Sequence, residues 1–317
     1  MSAEALADAR KREALDHALG AEILTALGEP DVVEVLANPD GRLIIDRLGE
    51  GRQPLEVRLT PQARERVIRL VADYVGEPIT REDPRLAGVL PTGERFQGFL
   101  PPVTTQPAFS VRKRPAVIWS LEAYVEIGIL SQRHAEILRE AVAARRNLVI
   151  SGGAGSGKTT LANAILAEPA FAADRVFLIE DTPELQCSAW DLVAVLTRRR
   201  PRPITVADLV RDALRMRPDR IVIGEMREGQ AALETLKAWN TGHPGGVTTV
   251  HANSAEEVLF RLEDLLAEVT ANPPRRLIAQ AVDLIVHIQR AGAARRVEGL
   301  LVRDKAEGGS GYRVVPA

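Results

Sequence analysis

The chain has 317 residues, of which 45% are hydrophobic and 26% are charged, a composition that suits a packed core and about two domains. The formal net charge of −2 argues against a protein that binds nucleic acid mainly by neutralising phosphates. The single cysteine, Cys187, excludes an intrachain disulfide framework and favours a reducing compartment. No run approaches the roughly 18 apolar residues that a membrane span needs, and no secretory signal begins the chain. We therefore expect a cytoplasmic protein with at most peripheral membrane association.

Residues 1–115 predict a small α+β domain. Ala and Leu recur at helical spacing over the first 27 residues. The turn cluster 38–41 separates two short runs rich in Val, Leu and Ile, which predicts a hairpin. Thr60 and Pro61 suit the N-cap and first position of a second helix. Two strand-like runs follow at 95–100 and 108–111.

Beyond a basic cluster at 112–115, we expect a linker over 116–130 and an α/β domain over 131–317. In that domain apolar runs alternate with helical segments, which is typical of a parallel sheet with crossover helices. The predicted strands are 147–151, 175–181, 220–225, 246–251 and 284–289. The last residues predict a closing hairpin with a loose loop at 308–311.

One glycine-rich segment has the spacing of a phosphate-binding loop: Gly152, four residues, then Gly-Lys-Thr, after an apolar run and before a helix. Successive N–H groups of such a loop face phosphates, helped by the positive end of the helix. Lys158 is expected to reach the β- and γ-phosphates and Thr159 to bind Mg²⁺. The flanking strand and helix oppose the alternative, a βα turn that binds nothing. The expected ATP-binding positions are Gly153, Ala154, Gly155, Ser156, Gly157, Lys158, Thr159 and Thr160.

A second candidate is Glu225, which ends the apolar run 220–223 after Gly224. This places its carboxylate at the carboxyl edge of the sheet, where ligands of open α/β sheets bind. We expect Glu225 to activate water and to hold Mg²⁺, directly or through water. An exposed strand-end glutamate is the alternative.

Three carboxylates, Glu180, Asp181 and Glu184, end the preceding predicted strand. They would repel one another unless a cation or basic groups lie between them, so we expect them near Mg²⁺ or arginines. An acidic cap on a following helix is the alternative.

Two histidines lie in an uncharged stretch after the Glu225 segment. His251 follows a strand expected beside the phosphate-loop strand, and we expect it to sense the γ-phosphate. His243, in a Gly-Pro loop, suits either a ligand contact or a hinge.

Four segments together resemble, in order and spacing, the Walker A, Asp box, Walker B and His box of the secretion ATPases. They read GGAGSGKTT, IEDTPEL, RMRPDRIVIGEMR and GHPGGVTTVHANSAEEVLFRLE. The combination looks most like the type IV secretion branch, and within it the conjugal-transfer ATPases of the TrbB kind. Gly153 and Ala154 depart from the Pro-Thr that relatives often carry, but the lysine and both flanking glycines are intact.

The resemblance implies a RecA-like second domain and a hexameric ring that hydrolyses Mg-ATP to power conjugative secretion, with partners in the secretion apparatus at the inner membrane. Nucleotide would bind between the two domains, with Glu184 and His251 reporting its state. Arginines matching the family pattern would close on the phosphates, Arg95 and Arg112 from the first domain and Arg217 from the second. Each of these arginines also suits a surface ion pair.

Three other functions remain open at this level. One is a pilus assembly or retraction motor of the same superfamily. Another is a DNA-translocating ATPase, which the near-neutral charge disfavours. The third is a nucleotide-binding scaffold without hydrolysis, which the combination of Lys158 and Glu225 disfavours.

Overall fold

The computed structural model describes residues 3–114, 118–199, 202–291, 294–303 and 314–316. The chain divides into two compact units, Met1–Ala116 and Val117–Ala317. Each unit has its own sheet and its own apolar core, so each is described by itself.

The first unit packs two helices on an antiparallel sheet of strand order β3-β2-β1-β6-β5-β4. The predicted hairpin and both predicted helices are confirmed, whereas β3 and β4 were not predicted. Thr60 caps the second helix by accepting a hydrogen bond from Ala63 N at 3.1 Å. The elements are α1 (Ala3–Gly28), β1 (Val32–Ala37), β2 (Arg42–Arg47), β3 (Gly51–Arg58), α2 (Pro61–Val75), β4 (Arg85–Val89), β5 (Arg95–Phe99) and β6 (Ala108–Arg112).

The core of the first unit lies between these helices and the sheet. Leu15 and Ile23 of α1 and Val67 and Ile68 of α2 are buried there. Arg64 on α2 is also buried, and it donates hydrogen bonds to backbone carbonyls of the neighbouring loops. These bonds satisfy the guanidinium and tie α2 to the loops around the sheet.

The second unit is an α/β sandwich, which confirms the predicted fold class. Its sheet has the order β14-β13-β12-β7-β11-β10-β8-β9, parallel from β12 to β9 and antiparallel beyond β12. The helices are α3 (Leu121–Glu126), α4 (Gln132–Ala143), α5 (Lys158–Leu166), α6 (Val206–Ala213), α7 (Gly229–Asn240), α8 (Glu257–Ala267) and α9 (Arg275–Ala281). The strands are β7 (Leu148–Ser151), β8 (Arg175–Glu180), β9 (Asp191–Leu196), β10 (Arg220–Ile223), β11 (Val247–Val250), β12 (Leu284–Ala291), β13 (Ala294–Arg303) and β14 (Val314–Pro316).

Apolar side chains cover both faces of this sheet. On β7, Leu148 and Ile150 belong to one buried cluster and Val149 to another, as expected for a parallel strand enclosed by helices. All five predicted strands are present, and the edge strand β9 is additional. The expected loop at 308–311 lies outside the described residues.

Part of the segment that the sequence assigns to a linker belongs to the second unit. Leu121 and Tyr124 of α3, together with Leu130, are buried in the cluster that also contains Leu148 and Ile150. Within the part of the chain that the structure describes, no helix combines the length and apolarity needed to cross a bilayer.

The amino ends of the parallel strands lie together, and we call this side of the sheet its amino-end edge. Polar side chains at this edge form hydrogen bonds with one another. Arg220, only 1% exposed, donates from Nε to Asp174 Oδ2 at 2.5 Å and lies over the Phe171 ring at 4.3 Å. Asp174 also accepts a hydrogen bond from Arg145. This arrangement satisfies a buried ion pair from several sides.

Asn147 holds three segments together at the same edge. Its Oδ1 accepts hydrogen bonds from the N–H groups of Gly245 and Gly246 at 2.8 and 3.0 Å. Its Nδ2 donates to Ala281 O at 2.8 Å. One side chain thus fixes the entries to β7, β11 and β12.

Candidate functional site

The loop between β7 and α5 has a backbone that requires glycine. Gly155 and Gly157 have φ of 69° and 102°, a left-handed region that other residues rarely adopt. A Cβ at Gly152 would lie 2.2 Å from Ile288 O. Helix α5 begins at Lys158 with no side-chain cap, so the N–H groups of its first turn are available to an anion.

Lys158 lies inside this loop. Its Nζ donates hydrogen bonds to Gly152 O at 2.9 Å and Gly153 O at 2.8 Å, and it lies 3.3 Å from His251 Nδ1. Burial lowers the pKa of Lys158, and the nearby Glu225 carboxylate opposes that shift. The ammonium group is therefore held among acceptors at the mouth of the loop.

Glu225 is held between a cation and a histidine. Arg227 Nη2 donates to Glu225 Oε2 at 2.6 Å, and this bond raises the pKa of Arg227. His251 Nε2 lies 3.0 Å from Glu225 Oε1. The second contact is close but lacks hydrogen-bond alignment, so Oε1 has no aligned donor among the described residues.

His251 therefore lies between Lys158 and Glu225. Burial, followed by the positive charge of Lys158, lowers the pKa of His251, and Glu225 opposes the shift. A neutral imidazole can accept a hydrogen bond from Lys158 at Nδ1, and its Nε2 then lies beside Glu225 Oε1 without donating an aligned hydrogen bond to it.

The acidic segment after β8 reaches the same loop through Glu184. Thr159 Oγ1 donates to Glu184 Oε2 at 3.2 Å, and Asn163 Nδ2 donates to Glu184 O at 3.2 Å. Glu180 Oε1 accepts from the backbone N–H groups of Glu184 and Leu185, both at 2.9 Å. The segment is thereby fixed against α5.

The three carboxylates of this segment were expected near Mg²⁺ or arginines, and Asp181 lies close enough to Arg227 for its charge to raise the pKa of that arginine. Glu180 is buried and bonded to the backbone amides, and Asp181 Oδ1 accepts from Thr197 Oγ1 at 2.8 Å. Only Glu184 reaches Thr159. No helix follows directly, because residues 181–190 form a loop.

The donor set fits a phosphate ligand and its metal. Ser156 Oγ is buried and has no hydrogen-bond partner within the described part of the chain. The oxygens of Thr159, Glu184 and Glu225 are the hard ligands that Mg²⁺ takes beside phosphates. No group of three or more His, Cys, Asp or Glu side chains among the described residues could hold a metal by itself, and a P-loop magnesium site does not require one.

A cavity of about 330 Å³ adjoins the loop on the side of β11 and α8. Its lining includes Gly152, Gly153 and His251 from the site, with Glu257, Phe260 and Asp264 from α8. The histidine therefore has room beside it for a ligand or a partner group.

The structure brings five predicted site residues together and leaves others apart. Those that meet are Lys158, Thr159, Glu184, Glu225 and His251. Arg217 precedes β10 and lies at the amino-end edge of the sheet, with a left-handed φ of 54°. His243 lies at that edge too, with Nδ1 2.9 Å from Pro218 O.

Arg95 and Arg112 lie in the first unit. They are directly opposite each other on the antiparallel strands β5 and β6. The register thus brings the two predicted arginines to one place in that sheet.

Two basic residues near the loop were missed. Arg227, two residues after Glu225, could have been found because its segment GEMR places a cation beside the strand-end carboxylate. Arg295 lies against Gly157, and no local pattern indicates that contact, because the two residues are far apart in sequence.

Comparisons with known proteins identify the family of this chain. The model of the family "Type II/IV secretion system protein" matches residues 91–303. The chain is 47% identical over 290 residues to conjugal transfer protein TrbB of Rhizobium radiobacter, covering 90% of this chain and 88% of that protein. It is 44% identical over 298 residues to the probable conjugal transfer protein TrbB of Sinorhizobium fredii, covering 93% and 90%.

Among solved structures, the pilus retraction motor PilT with bound ADP has a similar fold. Its TM-score is 0.66 at 21% identity, over 90% of this chain and 83% of that chain. At this identity the likeness concerns the fold alone.

Proposed function

This chain belongs to the type II/IV secretion system protein family, as a type IV secretion ATPase of the conjugal-transfer kind, and from that premise we propose that it hydrolyses Mg-ATP in a hexameric ring to power conjugative secretion. The observation that carries the proposal is the convergence of Lys158, Thr159, Glu184, Glu225 and His251 on one loop. The TrbB relatives favour conjugation over a pilus motor, because the likeness to the pilus motor PilT is a likeness of fold.

Phosphate binding would use the loop and the start of α5. The N–H groups of the loop and the helix dipole favour the anion, and the Ser156 hydroxyl offers a buried donor. Lys158 already lies within hydrogen-bond distance of Gly152 O and Gly153 O, so a rotation of its side chain would bring Nζ to the β- and γ-phosphates.

Thr159, with Glu225 acting directly or through water, would hold Mg²⁺, whose charge offsets that of the phosphates when it is bound. Glu225 would orient the attacking water and take its proton. Arg227 fixes one oxygen of that carboxylate at 2.6 Å, which leaves the oxygen without an aligned donor, Oε1, to accept the proton. Glu184 and His251, which contact Thr159 and Lys158, would respond to the γ-phosphate.

Arginines would complete the site when nucleotide is bound. Arg95 and Arg112 are the candidates from the first unit, and they share one position in its sheet. Arg217 is separated from Lys158 of its own chain by the length of β10, so it would serve a nucleotide only in a neighbouring copy of the ring. Stabilising the transition-state charge in this way increases rates by roughly 10³ to 10⁵ in known cases.

The test is phosphate release by the purified chain, together with its mass with and without ATP. The wild type should hydrolyse ATP and form a ring, and Glu225→Gln should bind ATP but hydrolyse it slowly. Glu184→Gln is the matched variant, because it removes a carboxylate from the same site. Normal turnover by Glu225→Gln with loss in Glu184→Gln would show that the base is Glu184. A chain that stays monomeric with ATP and does not hydrolyse it would overturn the proposal of a ring-forming ATPase.

A further inference from the structure

Arg295 is a basic residue beside the phosphate loop for which the proposed chemistry gives no role. It lies near the start of β13, opposite Arg290 of β12. A Cβ at Gly157 would be 3.0 Å from Arg295 Cδ and 3.3 Å from its Nε. The side chain therefore runs along the face of Gly157, at the residue where α5 begins.

The Nε atom of the Arg295 guanidinium is available to a ligand. This nitrogen is buried and has no hydrogen-bond partner among the residues that the structure describes. A buried charged donor without an acceptor costs free energy, unless a ligand supplies the acceptor. The strand that carries it is anchored, because Val297 N donates to Ile129 O at 2.9 Å.

The nearby Tyr124 does not supply a negative charge. Tyr124 interacts electrostatically with Arg295, and burial raises the pKa of its phenol to about 12. At neutral pH the phenol is therefore uncharged, and the guanidinium keeps its full attraction for an anion.

The sheet order fixes the side of the loop on which Arg295 lies. Strand β7 has β11 and β10 on one side and β12 and β13 on the other. Glu225 follows β10 and His251 follows β11, so both lie on the first side, whereas Arg295 lies on the second. A triphosphate whose γ-phosphate faces Glu225 directs its α-phosphate and nucleoside away from that side.

We propose that Arg295 binds the α-phosphate of the nucleotide, an inference that rests on the ATP site proposed above. Arginine suits this task because its planar guanidinium stays charged and presents several donors to phosphate oxygens. The contact is made equally to ATP and ADP, which share the α-phosphate. It contributes to binding in the ground state and the transition state alike, so it affects KM rather than kcat.

The experiment measures the equilibrium affinity of the full chain for ADP and for a non-hydrolysable ATP analogue. Arg295→Ala should weaken both by about tenfold, the loss expected for one charge-assisted hydrogen bond. KM for ATP should rise by a similar factor with kcat nearly unchanged. Arg295→Lys, which keeps the charge, should restore most of the affinity.

Arg296→Ala is the matched control. Arg296 is the next residue on β13 and is exposed, so alternation along the strand directs it to the opposite face. This variant should bind both nucleotides like the wild type. Melting temperatures without nucleotide, measured for all three variants, should stay close to that of the wild type, because Arg295 makes no bond at Nε that its loss would break.

Unchanged affinity of Arg295→Ala for ADP would overturn the inference, and so would a loss restricted to the ATP analogue. Equal losses of nucleotide affinity in Arg295→Ala and Arg296→Ala would also overturn the inference, because they would show that the affinity follows the total positive charge of this region rather than a contact with Arg295. If the wild type binds no nucleotide, the proposed ATP site itself fails, a result distinct from all of these.

Discussion

The parallel strands of the second sheet have an amino-end edge and a carboxyl-end edge, and polar residues at these two ends of the strands behave in opposite ways. At the amino-end edge, Asp174 and Arg220 bond to each other, and Asn147 satisfies two backbone N–H groups and a carbonyl. At the carboxyl-end edge, Ser156 Oγ and Glu225 Oε1 are buried without aligned partners among the described residues, and burial lowers the pKa of Lys158.

The difference separates groups that stabilise the fold from groups kept for a ligand. Strand ends of one sheet share the same backbone geometry, so the contrast comes from side chains and loops. Unsatisfied buried groups reduce stability, and preorganised donors and charges are what a binding site requires. The comparison therefore predicts that substitutions at the carboxyl-end edge change activity, whereas substitutions at the amino-end edge change the free energy of unfolding.

Lys158→Ala should give the largest effect. Removing the cation that neutralises the phosphates should lower kcat/KM for ATP by about 10³-fold or more, or at least about 4 kcal/mol. The free energy of unfolding should change by less than about 1 kcal/mol, because losing the two Lys158 hydrogen bonds is offset by removing a cation whose pKa burial lowers. Phosphate release measures kcat/KM for ATP, and urea unfolding measures the free energy of unfolding. Lys237→Ala, an exposed lysine on α7, should change neither.

Asp174→Asn should show the reverse at the amino-end edge. It leaves the buried Arg220 charge without its carboxylate, which should lower the free energy of unfolding by about 3 to 5 kcal/mol. Asp191→Asn is the control, because its pair with Arg175 is partly exposed and its loss should cost under about 1 kcal/mol. Equal losses in the two variants would contradict the special role of the buried pair.

Smaller effects should separate two uncharged residues, one at each edge. Asn147→Ala leaves two backbone N–H groups unpaired, so it should reduce the free energy of unfolding by about 1 to 3 kcal/mol. Ser156→Ala removes a hydroxyl without a partner, so stability should change by less than about 0.5 kcal/mol. Urea unfolding of both variants without nucleotide provides the measurement. A larger loss in Ser156→Ala than in Asn147→Ala would contradict the comparison.

The smallest effect should be a dependence of stability on pH that comes from His251. Its pKa is lowered in the folded chain, so below about 6.5 the unfolded chain binds more protons than the folded chain. Stability should therefore decrease as the pH falls through 6.5 toward the lowered pKa. The side chain is half exposed, which keeps the effect small. His251→Gln should have a flatter profile, and an unchanged slope would exclude this origin.

The sequence was most informative where function depends on neighbours in the chain. The glycines and Lys158 act within one loop, and the strand before Glu225 is apolar throughout, so both could be placed from local patterns. Glu184 and His251 could be placed at strand-end segments, but their contacts with Thr159 and Lys158 depend on how neighbouring strands align.

Long-range pairing explains what could not be predicted. Arg295 reaches Gly157 only because β13 folds back on β12. Arg217 precedes β10 and lies at the amino end of that strand, a placement that position in a sequence segment does not reveal. Glu180 accepts hydrogen bonds from the backbone N–H groups of Glu184 and Leu185, contacts that no local sequence pattern indicates.

The hydrogen bonds from Lys158 to Gly152 O and Gly153 O have a kinetic consequence. They tie the two ends of the glycine-rich turn together, so the loop keeps its curvature without help from a ligand. Nucleotide association then requires no slow ordering of the loop and gives up little conformational entropy. When Lys158 turns to the phosphates, its ammonium group exchanges these two carbonyl acceptors for phosphate oxygens, so binding replaces contacts of the lysine rather than folding a loose loop.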